Sequence, residues 1–380
     1  MPGPLENVKV VDLSSVGMGP MATQMLGDMG ADVIKVEPPD GDVFRHVAPQ
    51  RHDGMSHAFL NFNRNKRSIV ADLKNNEDLQ AVLKLIADAD VFVSNMRSPV
   101  LRRFGLDHAS LASRHPRLIH CVCYGYSDAG PYAGRPAIDD TIQAACGIAA
   151  MQGAIGDQPP RYVNSVVADK VVGLYASNAI AMALFERERS GLGQAIEVPM
   201  FESMVAFLAL EHLAGETFIP SQGEVGYARL LNEFRRPFRS KDGYISVAPY
   251  TSAQWRRFFH LAGRPEMADD ARFRTGVDRS RHFAELYSFV EDLIVERTNA
   301  EWIACLKEAD LPFAPVNSLT DLLRDEHLLA TGFWRESDHP TEGRLRTAGI
   351  PIRFSRTPGA IQRHAPNLGE HTAEILGEKR

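Results

Sequence analysis

Over the first 125 residues, short β-branched apolar runs alternate with stretches in which apolar residues recur at helical spacing. The runs at 8–13, 32–37, 68–72, 90–94 and 118–124 predict strands, and 21–29, 76–87 and 99–104 predict helices. Strand and helix in regular alternation predict a mostly parallel sheet covered on both faces. Beyond it the helical period dominates. Residues 140–151, 165–190 and 201–214 predict three helices, the second long, rich in small residues and suited to burial.

The pattern breaks over 215–239, where Gly, Pro and Arg interrupt the periodicity as a linker would. A second unit follows, with a strand at 243–248 and helices at 252–262, 281–297 and 299–309. From 328 the chain is rich in Gly, Pro and Arg and ends in a helical pattern at 372–377. The expected organisation is a large α/β domain over 1–214, a linker and smaller α+β domain over 215–325, and a C-terminal segment over 326–380 that returns to the large domain.

Composition narrows the function classes. With 380 residues and 44% hydrophobic side chains the chain can bury a large core. Its 42 basic and 48 acidic residues leave a net charge of -6 without long like-charge runs, which argues against a nucleic-acid partner. No uninterrupted apolar stretch reaches the ~20 residues of a membrane span, and the N-terminus lacks an export pattern, so a soluble cytoplasmic protein is expected. Cys121, Cys123, Cys146 and Cys305 are too few and too irregular for a disulfide framework or a zinc site. Cys121 and Cys123 have strand spacing and read as core, and no metal is expected.

The first turn with chemical content is Gly17-Met18-Gly19-Pro20, between a strand and a helix, with Glu37 about twenty residues on. It imitates a dinucleotide fingerprint, in which glycines admit a pyrophosphate to a helix N-terminus and the acid holds a ribose. A tightly packed strand-to-helix turn needs the same residues for backbone reasons. No hydride-transfer constellation accompanies the pattern, which by itself does not decide the cofactor.

Longer segments do. Residues 13–20 (LSSVGMGP), 30–37 (GADVIKVE) and 63–68 (NRNKRS) are followed in order by Gly105-Leu106, 116–119 (PRLI), 130–132 (GPY), Ala168-Asp169, 188–194 (ERSGLGQ) and 368–372 (LGEHT). Together they resemble the class III CoA-transferase family over nearly the whole chain. The resemblance implies a Rossmann-like large domain with a parallel sheet, a smaller α+β domain, and a homodimer of two chains interlocked as rings. It implies an enzyme that moves CoA from an acyl-CoA to a carboxylic acid, with both as substrates, no tightly bound cofactor and no membrane.

By that resemblance Asp169 is the nucleophile. A carboxylate suits the exchange because its acyl anhydride and its CoA thioester lie close in energy to substrate and product. Without the family, an Asp opening a helix reads as an N-cap. The segments that match the family's CoA contacts are Val16 and Gly17; Ala71, Asp72, Leu73 and Lys74; Asn95, Met96 and Arg97; Arg103; and Pro136, Ala137, Ile138 and Asp139. Lys74, Arg97 and Arg103 read equally as solvated charges. The densest basic cluster, Arg64, Lys66 and Arg67, is either a CoA phosphate contact or a solvated loop before the strand at 68–72.

Departures bear on the substrate. Gly17 stands where formyl-CoA transferases carry Gln, and their Gly-rich lid is absent, which argues against formyl-CoA:oxalate transfer. Arg229, Arg235, Arg236 and Arg239 occupy that region, as a dicarboxylate site or as surface charge. Two other functions are weighed. The related α-methylacyl-CoA racemases place a His near Asp139 to move a proton, whereas this chain has Ile138. A non-catalytic CoA-binding component has no need of Asp169.

Overall fold

The computed structural model describes residues 3–155 and 158–377. The chain divides into two compact units, one made of Met1–Ala149, Tyr162–Phe207 and Glu326–Arg380, the other of Ala150–Arg161 and Leu208–Asp325.

The first unit is built on six strands: β1 (Lys9–Leu13), β2 (Asp32–Glu37), β3 (Lys66–Val70), β4 (Val91–Ser94), β5 (Ile119–Tyr124) and β6 (Ala195–Pro199). They pair in parallel in the order β3-β2-β1-β4-β5-β6. The order reverses between β1 and β4, where loops leaving the strands' C-terminal ends part and a parallel sheet opens a crevice. One face carries the helices Asn76–Ala87, Ser98–Phe104 and His108–Ala112, packed through Val82, Ile86, Leu101 and Leu111 onto Val11, Val36, Ile69 and Phe92.

The helices Met18–Asp28 and Val167–Ser190 pack against one another. Val167–Ser190 is long and apolar enough to cross a membrane by length and composition, although charges at Asp169, Lys170 and Glu186 keep its uninterrupted apolar stretch short of ~20 residues. It is the core helix of this unit instead. Ala168, Val172, Ala176, Ile180 and Ala183 are buried along it.

In the second unit the strands β7 (Phe238–Arg239), β8 (Tyr244–Val247) and β9 (Phe313–Pro315) form an antiparallel sheet. Its core joins Phe238 and Ile245 to Trp255, Phe258, Phe259, Leu286, Trp302 and Leu306 from the helices Ser252–Leu261, Phe283–Ile294 and Asn299–Glu308. The chain then re-enters the first unit, where β10 (Trp334–His339) and β11 (Gly343–Ala348) form an antiparallel hairpin. The remaining tail runs beside β3. His371 N–H donates to the Ser68 carbonyl at 2.9 Å, and Val70 N–H donates to Thr372 Oγ1 at 3.1 Å.

Several expectations need correction. The helix at 140–151 is two helices, Asp139–Ala145 and Ile148–Ala154, because Gly147 at φ 93 takes a left-handed conformation that ends the first. The strand β6 and the β10/β11 hairpin lie where the pattern predicts none; β10 is almost wholly exposed and so has no apolar alternation to read. The third strand begins at Lys66 rather than 68, so the basic cluster is not a solvated loop before it.

That cluster is structural. Arg64 and Asn65 both clasp the buried Asp28 carboxylate, Arg64 Nη2 at 2.7 Å and Asn65 Nδ2 at 2.7 Å. Asn65 Oδ1 in turn accepts the backbone N–H groups of Gln362 and Arg363. Arg67 pairs with Asp32 and with Glu374 of the tail. Lys66 enters a layer of buried charge beneath the loop that follows β1. Its ammonium donates to Asp12 Oδ2 at 3.0 Å, to Asn63 Oδ1 at 2.8 Å and to the Pro20 carbonyl at 2.9 Å. Asp12 also accepts from Thr23 and Ser14. Next to it, Lys35 pairs with Asp42 at 2.8 Å and donates to the Ser14 carbonyl at 2.8 Å, while Glu37 is held by Arg45 and Ser68. Glu37 is therefore occupied and has no oxygen left for a ribose, which removes the dinucleotide reading.

In this layer burial opposes every charge and the partners restore some of them. Burial pushes Lys66 down to about 8 despite Asp12 beside it. Asp12 is raised by burial but lowered more by Lys66, Lys35 and two hydroxyl groups, to about 2. Removing one partner leaves an uncompensated buried ion, so Asp12→Ala is expected to lower unfolding stability by roughly 3–5 kcal/mol. The urea midpoint against wild type measures it; a loss below about 1 kcal/mol would show that the layer is not needed for folding.

Candidate active site

The helix Val167–Ser190 starts after Val166, so Asp169 is its third residue and is not the N-cap that its position suggests. Its side chain caps nothing. Among the described residues its carboxylate accepts no hydrogen bond, although the residue is only 5% exposed. The packing of this helix on Met18–Asp28 brings the carboxylate against Gly17, the residue before that helix. A Cβ at Gly17 would lie 2.4 Å from Asp169 Oδ2 and 2.8 Å from Cγ, so any side chain there would displace the acid. Glycine is required at this point for space rather than for a left-handed turn.

The residue before it is the strained one. Val16 has φ 70, a conformation costly for a β-branched side chain. It is held there by Asp42 Oδ1, which accepts the Val16 N–H at 3.0 Å. Ser15 is fixed from the other side: its N–H donates to Asn95 Oδ1 at 3.1 Å, and its carbonyl accepts from Asn95 Nδ2 at 2.7 Å. The loop after β1 is thus pinned to the loop after β4 across the crevice where the strand order reverses.

Asp139 completes the arrangement. Its Oδ1 accepts the Asp169 backbone N–H at 3.0 Å, and its Oδ2 accepts from Gln143 Nε2. Gln143 also binds the Ser165 carbonyl and the Val163 N–H, and so ties the segment leading into the Asp169 helix. Burial pushes the Asp169 carboxyl up, and the nearby Asp139 charge adds to it, reaching about 7. At neutral pH the group is therefore poised between acid and carboxylate. Two helix N-termini, its own and that of Met18–Asp28, lie beside it and favour negative charge.

The residues singled out from the sequence fall into two sets. Val16, Gly17, Asn95, Asp139 and Asp169 are brought together, directly or through one hydrogen bond. Arg97 follows Asn95, is exposed, and reaches the Gly134 carbonyl at 3.3 Å, next to the segment Pro136, Ala137 and Ile138 that enters the Asp139 helix. Ala71, Asp72, Leu73 and Lys74 follow β3 at the same end of the sheet; Ala71 is buried, and Asp72 Oδ1 accepts the Lys74 N–H. Lys74 and Arg103 are exposed, and among the described residues neither side chain makes an ion pair or hydrogen bond; Arg103 stacks on Phe104. Ile138 is 63% exposed and carries no proton-transferring group into the site. Gln143, missed in the sequence, lies four residues after Asp139, a helical spacing that places both on one face.

Comparison with known proteins identifies the family. The model of CoA-transferase family III matches residues 5–372. A succinate–glutarate CoA-transferase of Agrobacterium fabrum is 33% identical, over 99% of this chain and 95% of its own. The succinyl-CoA:glutarate CoA-transferase of Mus musculus is 32% identical, over 99% of this chain and 86% of its own. Among solved structures, a CAIB/BAIF family protein from Brucella suis aligns with a TM-score of 0.81 at 33% identity, covering 99% of both chains. Rv3272 from M. tuberculosis aligns with a TM-score of 0.86 at 27% identity, again over 99% of both. With the matched region spanning almost the whole sequence, this chain belongs to CoA-transferase family III.

Proposed function

We propose that the enzyme moves CoA from succinyl-CoA to a dicarboxylic acid by covalent catalysis at Asp169. The observation that carries the mechanism is the Asp169 carboxylate itself, buried, free of hydrogen bonds and pressed against a glycine in the crevice of the sheet. The relatives named for succinyl-CoA with glutarate or malate support the substrate class.

An Asp169 oxygen attacks the thioester carbonyl, the carbon–sulfur bond breaks, and a mixed anhydride forms with release of CoA thiolate. The thiolate then attacks the Asp169 carbonyl carbon, expelling the donor as a free carboxylate and leaving an aspartyl-CoA thioester. The acceptor carboxylate attacks that thioester, giving a second anhydride and thiolate. Attack of the thiolate on the acceptor carbonyl forms the new acyl-CoA and restores Asp169. Gly17 leaves room for the Asp169 carboxylate itself, and the two helix N-termini stabilise oxygens that become negative in each step. Val16, Gly17, Asn95, Met96 and Arg97, with the segments 71–74 and 136–139 and Arg103, are the proposed contacts for CoA.

Incubation with succinyl-CoA followed by hydroxylamine is expected to convert Asp169 to a hydroxamate, read by peptide mass spectrometry, with no such product from Asp169→Ala. An unmodified Asp169 despite measurable CoA transfer would reject the covalent route.

Because only the ionised carboxylate attacks, hydroxamate yield at short times is expected to rise with pH through about 7. Asp139→Asn keeps an acceptor for the Asp169 N–H but removes the repelling charge, so the profile should move to lower pH. The same raised pKa makes the ionised acid a cost to the fold. The native state binds the extra proton, so this contribution falls as pH rises from the ordinary carboxylate range near 4 to about 7 and is flat outside that window. A pH profile insensitive to Asp139→Asn would remove the electrostatic coupling.

We further propose a homodimer, with the two chains interlocked. Leu174, Met182 and Phe185 project from one side of the helix Val167–Ser190 and are 50%, 63% and 62% exposed, an apolar face that a second copy would cover. Light scattering is expected to give twice the chain mass; a stable monomer at micromolar concentration would dismiss this assembly.

A further inference from the structure

Four arginines between 229 and 239 were open to two readings, and their surroundings in the second unit separate them. Arg236 is neutralised by Glu291 at 3.0 Å, and Arg235 and Arg239 are exposed. Arg229 differs. It lines a cavity of about 320 Å³ together with the buried Arg279, the phenols Tyr227, Tyr250 and Tyr287, and the apolar walls of Trp255, Phe283 and Leu286. The guanidinium of Arg229 lies over the Phe283 ring at 5.6 Å, with the Tyr287 and Tyr227 hydroxyl groups beside it.

Arg279 is 7% exposed and, among the described residues, makes no ion pair; the charge of Asp278, one residue before it, answers it only in part. Its hydrogen bonds go to the carbonyls of Phe273 at 2.7 Å and Arg274 at 3.3 Å and to Ser252 Oγ at 3.0 Å. A guanidinium has five N–H donors, so these three bonds leave two without a protein acceptor. A buried cation held by no ion pair is costly, and burial holds its pKa down despite the Asp278 charge nearby. An anion entering the cavity would relieve that cost.

The lining selects among anions. Two guanidinium groups offer planar pairs of donors that match a carboxylate, and phenols add single hydrogen bonds. The indole, the phenyl ring and the leucine give a hydrocarbon chain an apolar surface that a bare inorganic ion would not use. The volume is at the lower end of the range for small-molecule sites. We propose that this cavity in the second unit is a binding site for a small organic acid, held by its carboxylate between Arg229 and Arg279. All the residues lining the site belong to the second unit, and the proposal rests on the dicarboxylate reading above only for the choice of probe.

Glutarate is the probe, titrated calorimetrically into the full-length protein without CoA, so that neither turnover nor the covalent mechanism enters the readout. Binding is expected to persist in Asp169→Ala, to be absent for the neutral analogue glutaramide, and to weaken roughly tenfold to a hundredfold in Arg229→Gln. Glutarate should also slow phenylglyoxal modification of Arg229 in the wild-type protein, read by peptide mass spectrometry, which does not depend on a variant folding. Unchanged affinity in Arg229→Gln together with unprotected Arg229 would overturn the proposal, as would binding of inorganic phosphate equal to that of glutarate. Failure of hydroxylamine trapping would leave these readouts intact.

Discussion

The arrangement at Asp169 depends on the layer of buried ions beneath the loop after β1. Asp12 on β1, Lys35 and Glu37 on β2 and Lys66 on β3 are all nearly inaccessible, and each has its charge answered by a neighbour in the layer. Such groups tolerate little displacement, because a lost partner exposes a full desolvation cost. Asp42, paired to Lys35 through one oxygen, uses the other to hold the Val16 N–H. The backbone of Val16 is thereby kept in a conformation it would not choose, and Gly17 is delivered to the Asp169 carboxylate. The clip of Asn65 on Gln362 and Arg363 fastens the returning tail to the strand that carries Lys66.

The Asp169 carboxylate, the proposed nucleophile, is held by the opposite strategy. Among the described residues it receives no hydrogen bond and no counter-charge, and the ionisable group that acts on it is another acid, Asp139. Hydrogen bonds would make the carboxylate a weaker nucleophile and lower its pKa together. Leaving it bare keeps it basic, at the cost of protonation over part of the neutral range. Asp139 serves two ends here: it positions the Asp169 backbone through its own acceptor and raises the side chain through its charge.

The two units divide the chemistry differently. In the first, nearly every buried cation has an anionic partner, so the basic segment 64–67 that resembled a phosphate site is consumed by the fold. In the second, Arg279 is buried without an ion pair, its charge answered in part by Asp278, and Arg229 shares its cavity. Charge left unanswered inside a folded unit points to a ligand more reliably than the density of basic residues along the chain.

The sequence by itself determined the alternation of strand and helix, the parallel sheet, and most element boundaries, because these follow from local periodicity that burial enforces. It also carried the family resemblance that singled out Asp169, Gly17 and Asn95. It could not reveal β6 or the exposed hairpin, whose strands lack a continuous apolar rhythm and form only where a partner edge is available. Nor could it tell that Lys66 answers Asp12 across 54 positions, or that Glu37 is spent on Arg45. The raised pKa of Asp169 and the role of Asp139 were likewise decided by tertiary structure alone, since desolvation and charge coupling depend on which atoms surround a group in space, and sequence separation does not record that.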